Sequence, residues 1–405
     1  MTRAEKSWIM YDVGNSALVL LATSVIPIYF SSLAPDGGVV VAWSYAETVA
    51  SLIIALLMPI LGSIADMKGM KKKFIVGCVG TGVVATVALG IPTSAMAFLV
   101  IYVISSVALN SSMVFYDALL VDATTDDRMD EISSQGYAWG YIGSCAPFIA
   151  CLLVVLNYDA LGIGLQTAMQ IAFVITAAWW LAFTIPMLRD VQQKHFKPRE
   201  EHAVSRAIKG IGGTLKEMWT NRAIKFYMIA YFFYIDGVHT IKLSTSYGTD
   251  LGISSTQLVL ALLVTQFVAF PSAIIYGRLS SKYGTRRMLL IAIAAYFGIT
   301  LFAALFLRTA TEFWILAILV GMFQGGIQAL SRSEFGKLCP KKRANEYFGF
   351  FDIFGKYAAI LGTFLVGTFT ALTGNSSLGV MSIAVLFVIG FVMMLKVPAR
   401  EEAAE

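Results

Sequence analysis

Apolar stretches of about 20 residues recur along this chain, separated by short polar connections. A helix rises 1.5 Å per residue, so such a stretch crosses a hydrocarbon core about 30 Å thick. The pattern predicts twelve helical spans, at about 8–31, 41–65, 74–92, 96–121, 135–157, 165–188, 223–247, 255–279, 288–307, 312–334, 347–371 and 376–396. One long polar stretch, 189–222, interrupts the series and contains Pro198 and adjacent glycines at 212 and 213. It predicts a linker joining one six-span half, 1–188, to another, 223–405. Within it, residues 204–219 alternate as an amphipathic helix suited to a membrane surface. The remaining connections are short, among them 35–38 and the turn near Pro92, and leave no room for an outer domain. The expected fold is an all-α membrane protein of two pseudo-symmetric six-helix bundles.

The series also repeats itself. Gly62–Lys73 reads GSIADMKGMKKK between two spans, and 215 positions later Gly277–Arg287 reads GRLSSKYGTRR in the same setting. At that offset Gly69 falls on Gly284, Asn110 on Gly325, Asp117 on Arg332 and Gly140 on Gly355. A constant offset near half the 405-residue length implies two related halves, a parallel-repeat design common among secondary transporters.

Composition agrees with a bilayer as the solvent. Hydrophobic residues make up 58% of the chain and charged residues 14%, where a soluble protein carries about 25% charge. The first apolar run continues as a full span and offers no small-residue cleavage site, so no cleavable signal is expected. Lys and Arg collect in alternate connections: Lys68 and Lys71–Lys73, Arg189 to Arg222, Lys282 to Arg287, and Lys337 to Arg343. Arg308 is the main exception on the other side. The positive-inside rule places both termini and the basic loops in the cytoplasm of a multi-pass cell-membrane protein. These basic runs flank spans and form no continuous face, which argues against nucleic-acid binding. Cys78, Cys145, Cys151 and Cys339 show no paired spacing and read as small core residues, not as a disulfide or metal framework.

In the first repeat copy, Gly62 permits close helix contact and Gly69 supplies a turn. Asp66, at the cytoplasmic end of a span, can hold a neighbouring helix terminus or a basic side chain. Taken together, GxxxDxxGxKK resembles the loop motif of the major facilitator superfamily. The second copy has Ser281 in place of the Asp, which predicts an asymmetric latch. Further strings narrow the resemblance: WIMYDVGNSA from Trp8, FYDALL from Phe115, SSQGYAWGYIG from Ser133, YIDGVHTI from Tyr234, QGGIQALSRSEFGKLCP from Gln324 and EYFGFFDIFGKYAAILG from Glu346. They resemble the vacuole-effluxer-like branch, which includes the autophagy-related fungal vacuolar amino-acid exporters and many bacterial permeases. The resemblance covers nearly the whole chain. It implies the major facilitator fold, transport and, through the fungal members, amino-acid substrates. Asp117 and Thr363 depart from it, standing where a polar amide and a proline are expected.

Ionisable groups inside spans are costly in hydrocarbon and usually face a cavity or a partner. Asp236, His239 and Lys242 follow one another at i, i+3 spacing along one face of the seventh span. Asp12 and Asn15 enter the first span, and Lys356 stands in the eleventh. Gln324 and Gln328, one turn apart in the tenth span, offer amides to a ligand, and Tyr116 and Tyr137 are candidate cavity aromatics. Each has a plainer role open to it: Asp12 as an interfacial cap, Asp236 with Lys242 as a structural pair, the aromatics as packing. Gly136 and Gly140 read first as a close-packing pair. Asp236 is the candidate coupling proton site, because burial disfavours a charged carboxylate. Asp66, Asp117 and Arg332 are gating candidates, the last two matched by the repeat as an opposite-charge pair.

Enzyme signatures are absent. The three histidines (His195, His202 and His239) form no HExxH, and no GxSxG, GxxxxGK[ST] or dinucleotide fingerprint occurs. Without a nucleotide loop, energy must come from a gradient. The expectation is a monomeric, cofactor-free and metal-free secondary transporter that moves a small polar metabolite, an amino acid or related zwitterion, with protons and membrane lipid as its other partners. A lipid or amphiphile flippase of the same fold, and a non-transporting receptor or assembly factor, are the alternatives.

Overall fold

The computed structural model describes residues 1–34, 39–240 and 253–398, so the connection at 35–38 and Lys242 lie outside the described residues. The chain runs α1 (Arg3–Leu33), α2 (Val39–Ala65), α3 (Lys71–Ala88), α4 (Ala95–Ala123), α5 (Met129–Leu156), α6 (Leu165–Asp190) and α7 (Ala203–Thr220). It continues as α8 (Arg222–Thr240), α9 (Ser255–Tyr283), α10 (Thr285–Phe306), α11 (Ala310–Leu338), α12 (Ala344–Thr373), α13 (Ser376–Ser382) and α14 (Ala384–Leu395). Among the described residues there is no strand, only a bridge between Met67 and Lys197.

Helix ends fall where local chemistry stops or starts them. Thr2 and Glu5 close a capping box at α1, with Glu5 N–H on Thr2 Oγ1 at 3.2 Å and Thr2 N–H on Glu5 Oε2 at 2.6 Å. Ser94 caps α4 through Ala97 N–H, and Ser254 caps α9 through Gln257 N–H. The two repeat-matched turns both need glycine: Gly69 has φ +75° and Gly284 has φ +88°, a region costly for any residue with a Cβ.

Ten helices, among the described residues, are long and apolar enough to cross a membrane. Two of the twelve expected spans, the third and the seventh, are not among these ten. The 18-residue α3 opens with Lys71, Lys72 and Lys73, and α8 carries Arg222, Lys225 and Asp236 within the 19 residues described. Large apolar side chains stand exposed along the spans, among them Leu56, Val84, Phe364 and Leu372. That is the composition of a surface solvated by lipid tails. Hydroxyls inside the spans return their protons to the preceding turn, as Thr176 does to Ala172, Thr184 to Trp180 and Thr300 to Tyr296.

Two compact units emerge, and each borrows a short piece from the opposite half of the sequence. The first unit holds residues 1–124, 139–207 and 341–349. There α1 packs on α6, α2 on α4, and α3 on both α4 and α6. The second holds 125–138, 208–340 and 350–405. There α8 packs on α14, α9 on α11, and α10 on both α11 and α14. The same helix pairs recur at repeat-equivalent places, as the offset requires.

Candidate functional site

In the first unit the polar core centres on Asp12, which is only 5% exposed. The Tyr116 hydroxyl donates to Asp12 Oδ2 at 2.9 Å, and the Asn15 amide approaches Oδ1 at 3.4 Å. Tyr116 is held in place by stacking on Trp8 (4.4 Å between centroids) and by Tyr11 (4.6 Å), while the Trp8 indole donates to the Tyr116 carbonyl. Gly140 of α5 lies directly against this spot: a Cβ there would stand 2.9 Å from Ser16 Oγ and 3.2 Å from the Asp12 carbonyl. The close-packing role expected of Gly140 is thus visible, and it packs α5 against the carboxylate-bearing turn of α1. The second unit places Tyr227 and Ser331 at the repeat equivalents of Asp12 and Tyr116. The Tyr227 hydroxyl donates to the Ser331 carbonyl at 2.7 Å, and the Tyr234 and Ser331 hydroxyls are bonded at 2.7 Å. One half therefore buries a carboxylate where the other buries a phenol.

Asp236, fully buried on α8, accepts the Gly362 N–H of α12 at 3.1 Å. His239 follows one turn later, half-buried. Lys356 is held by Asp352, four residues earlier on α12, a neutralising partner the sequence reading did not assign. Gln324 and Gln328 are both half-buried on α11. Tyr137, on α5, lies under the Arg332 guanidinium at 4.3 Å from the ring centroid.

Asp66 does what a carboxylate beside a helix start should do. It is fully buried, and its oxygens accept Asn345 N–H at 2.9 Å, Asn345 Nδ2 at 2.7 Å and Glu346 N–H at 3.1 Å. The two backbone donors are first-turn N–H groups of α12, which lack a partner in the helical ladder and sit at the positive end of its dipole. Burial pushes the Asp66 carboxyl up to about 6, opposed by Lys71 and by the bonds from Asn345 and Glu346. The junction is tight: a Cβ on Gly62 would meet the Asn345 carbonyl at 2.5 Å. Lys197 of the linker closes it with an ion pair to Glu346 at 2.9 Å, and Lys197 N–H donates to the Asp66 carbonyl at 2.8 Å.

A corresponding junction in the second unit was not singled out in the sequence. Gly277, the mate of Gly62, lies against α5, where a Cβ would stand 2.6 Å from Ser134 Cβ. Ser281 supplies no acid, but Asp130, in the first turn of α5, supplies one from the opposite side. Its Oδ2 accepts the Thr285 hydroxyl at 2.6 Å, and its Oδ1 accepts the Ser333 hydroxyl at 2.6 Å and the Lys337 ammonium. Beside it Arg332, 2% exposed, donates from Nε and Nη2 to the Ser133 hydroxyl and carbonyl, each at 3.0 Å. Asp117 stands half-buried on α4, in the first unit, and Arg332 belongs to the second. A signal for the missed cluster existed: the repeat offset puts Asp130 on Asn345, Ser281 on Asp66 and Lys337 on Asp122, so the acid of the junction changes sides. In the first unit Asp122 is likewise fully engaged, with Lys71 at 2.5 Å, two linker N–H groups and the His195 ring.

Residues 121–405 match the family model described as vacuole effluxer Atg22 like. An uncharacterized MFS-type transporter of Bacillus subtilis, YxiO, is 45% identical over 98% of this chain and 95% of its own. Autophagy-related protein 22 of Kluyveromyces lactis is 26% identical over 62% of this chain, which spans 54% of that protein. Among solved structures, the proton:xylose symporter XylE superposes with a TM-score of 0.75 at 12% identity, covering 98% of this chain and 94% of that one. The human organic anion transporter MFSD10 gives 0.74 at 13% identity, covering 97% and 99%. At such identities the likeness is one of fold.

Proposed function

The chain belongs to the vacuole effluxer Atg22-like family of MFS-type membrane transporters, and from that premise we propose that it moves a small polar metabolite, an amino acid or related zwitterion, across the cytoplasmic membrane by proton-coupled alternating access. Twelve spans in two six-helix bundles carry this cycle, with the linker and both termini cytoplasmic. The observation that carries the substrate class is the Asp12 carboxylate. It is buried in α1 with the Tyr116 hydroxyl and the Asn15 amide on its oxygens, a setting that suits an ammonium group entering beside it. Half-buried Gln324 and Gln328 offer amide donors to the other end of such a ligand. Asp236 is the coupling site, and Asp66, Asp117 and Arg332 belong to the gate.

The Asp66 and Asp130 junctions hold one state of the cycle and part in the other. Each consists of charge-assisted bonds at a helix start, worth about 1.5–3 kcal/mol apiece, which a substrate's binding energy can offset. The decisive experiment is a thermal-shift screen of purified protein against amino acids, peptides, organic anions, nucleosides and amphiphiles, since a ligand of the native state raises its melting point by mass action. It is followed by counterflow into proteoliposomes with the hit. An amino acid that stabilises the parent but not Asp12→Asn, and is exchanged across the bilayer, supports the proposal. Stabilisation by amphiphiles alone points instead to flipping of lipid-like cargo.

A further inference from the structure

The linker helix α7 has three distinct faces. At about 100° per residue, Ala207, Thr214 and Met218 fall together, and all three are buried in the protein. Next to them, within an arc of about 60°, lie Val204, Ile208, Leu215 and Trp219, which are 56%, 53%, 41% and 46% exposed. Lys209 and Lys216 border the outer edge of that arc, both exposed. Glu217 stands on the opposite side of the helix, and Arg206 is paired with Glu200 at 3.2 Å. The exposed apolar arc is thus edged by exposed lysines on one flank and by protein on the other.

We propose that this face is a docking surface for anionic phospholipid. It seats α7 in the headgroup layer of the leaflet where α8 begins. Three observations select lipid as the occupant. First, α7 cannot leave that interface, because α8 starts at Arg222, two residues after α7 ends at Thr220. Second, the apolar arc is one side chain wide and runs the length of the helix. That suits burial to the depth of an acyl-chain boundary better than a protein groove. Third, the lysines lie at the arc's edge, where ammonium groups can reach phosphates while their stems cover the boundary. Each lysine so placed contributes about fivefold to affinity for an anionic surface.

The test uses the full-length protein in vesicles of phosphatidylcholine alone and of phosphatidylcholine mixed with phosphatidylglycerol. A polarity-sensitive dye is attached at Ile208→Cys, Leu215→Cys or Glu217→Cys, with the unsubstituted parent as the control for labelling of the native cysteines. Nitroxide lipids quench the dye wherever it enters the headgroup layer. The expected result is strong quenching at positions 208 and 215, little at 217, and a gain on adding phosphatidylglycerol that high salt removes. The double variant Lys209→Glu with Lys216→Glu loses that gain and keeps the quenching in phosphatidylcholine. Equal quenching at 208 and 217, or indifference to phosphatidylglycerol, overturns the proposal. Dye self-quenching at 208 that rises with protein density, without nitroxide quenching, overturns it in favour of a second copy of this chain on the same face.

Discussion

Asp236 and Gly362 meet through a bond that an asparagine would keep, because the amide oxygen can accept the Gly362 N–H as the carboxylate does. Asp236→Asn therefore removes the ionisable group without removing the contact, and it is expected to insert normally. We expect the variant to lose accumulation under an imposed pH gradient and to retain counterflow; accumulation equal to the parent's rules Asp236 out as the coupling residue. Asp66 yields a prediction of opposite character. Its buried pKa of about 6 lies above the ordinary value of 3.8, so the buried state binds the proton more tightly than a state in which Asp66 is wet. The contribution is fully present below the ordinary value and is lost as pH rises through about 6. Acidifying from pH 7 to 4 should then protect 341–349 from hydrogen exchange beyond the intrinsic rate change, and Asp66→Asn should abolish that pH dependence. Protection that falls on acidification contradicts the assignment.

The two junctions are element-scale devices, and their chemistry differs although their positions correspond. In the first unit a carboxylate from the turn after α2 caps α12. In the second a carboxylate within α5 meets Lys337, Thr285 and Ser333. Breaking a buried pair by removing one partner costs about 3–5 kcal/mol, since the other charge is left stranded. Asp130→Lys and Lys337→Asp should therefore each lower the melting temperature of the detergent-solubilised protein. The double exchange should regain much of the loss, because both neighbouring hydroxyls can donate or accept. Additive losses in the double variant would mean that the two residues act independently.

Whole-molecule expectations rest on charge distribution. The basic connections alternate with nearly charge-free ones, and the linker carries the longest basic run, so residues 189–222 should face the cytoplasm. A cysteine replacing exposed Glu201 should resist an impermeant thiol reagent in intact cells and react once the membrane is opened. Labelling in intact cells inverts the topology.

What the chain's own pattern determined is the part of the structure set by the bilayer. Span length follows from the thickness of the hydrocarbon slab, Lys and Arg placement from the positive-inside bias and the 215-residue repeat from the relatedness of the two halves, and each can be read along a line. The glycines at 69 and 284 belong here too, because a positive φ is a local demand. So does Asp66, whose motif announced a role at a helix end. Tertiary structure alone decided which polar groups meet. Asp130 and Lys337 are separated by about half the chain, and nothing in the periodicity of either helix says that they share a polar cluster. Lys356 looked like an open cation until Asp352 closed on it, and Arg332 lies across Ser133 and Tyr137. Pairing of this kind depends on helix rotation and close approach, as where Gly62 and Gly277 admit a neighbouring helix. Those are properties of packing, which a one-dimensional hydrophobic pattern leaves undetermined.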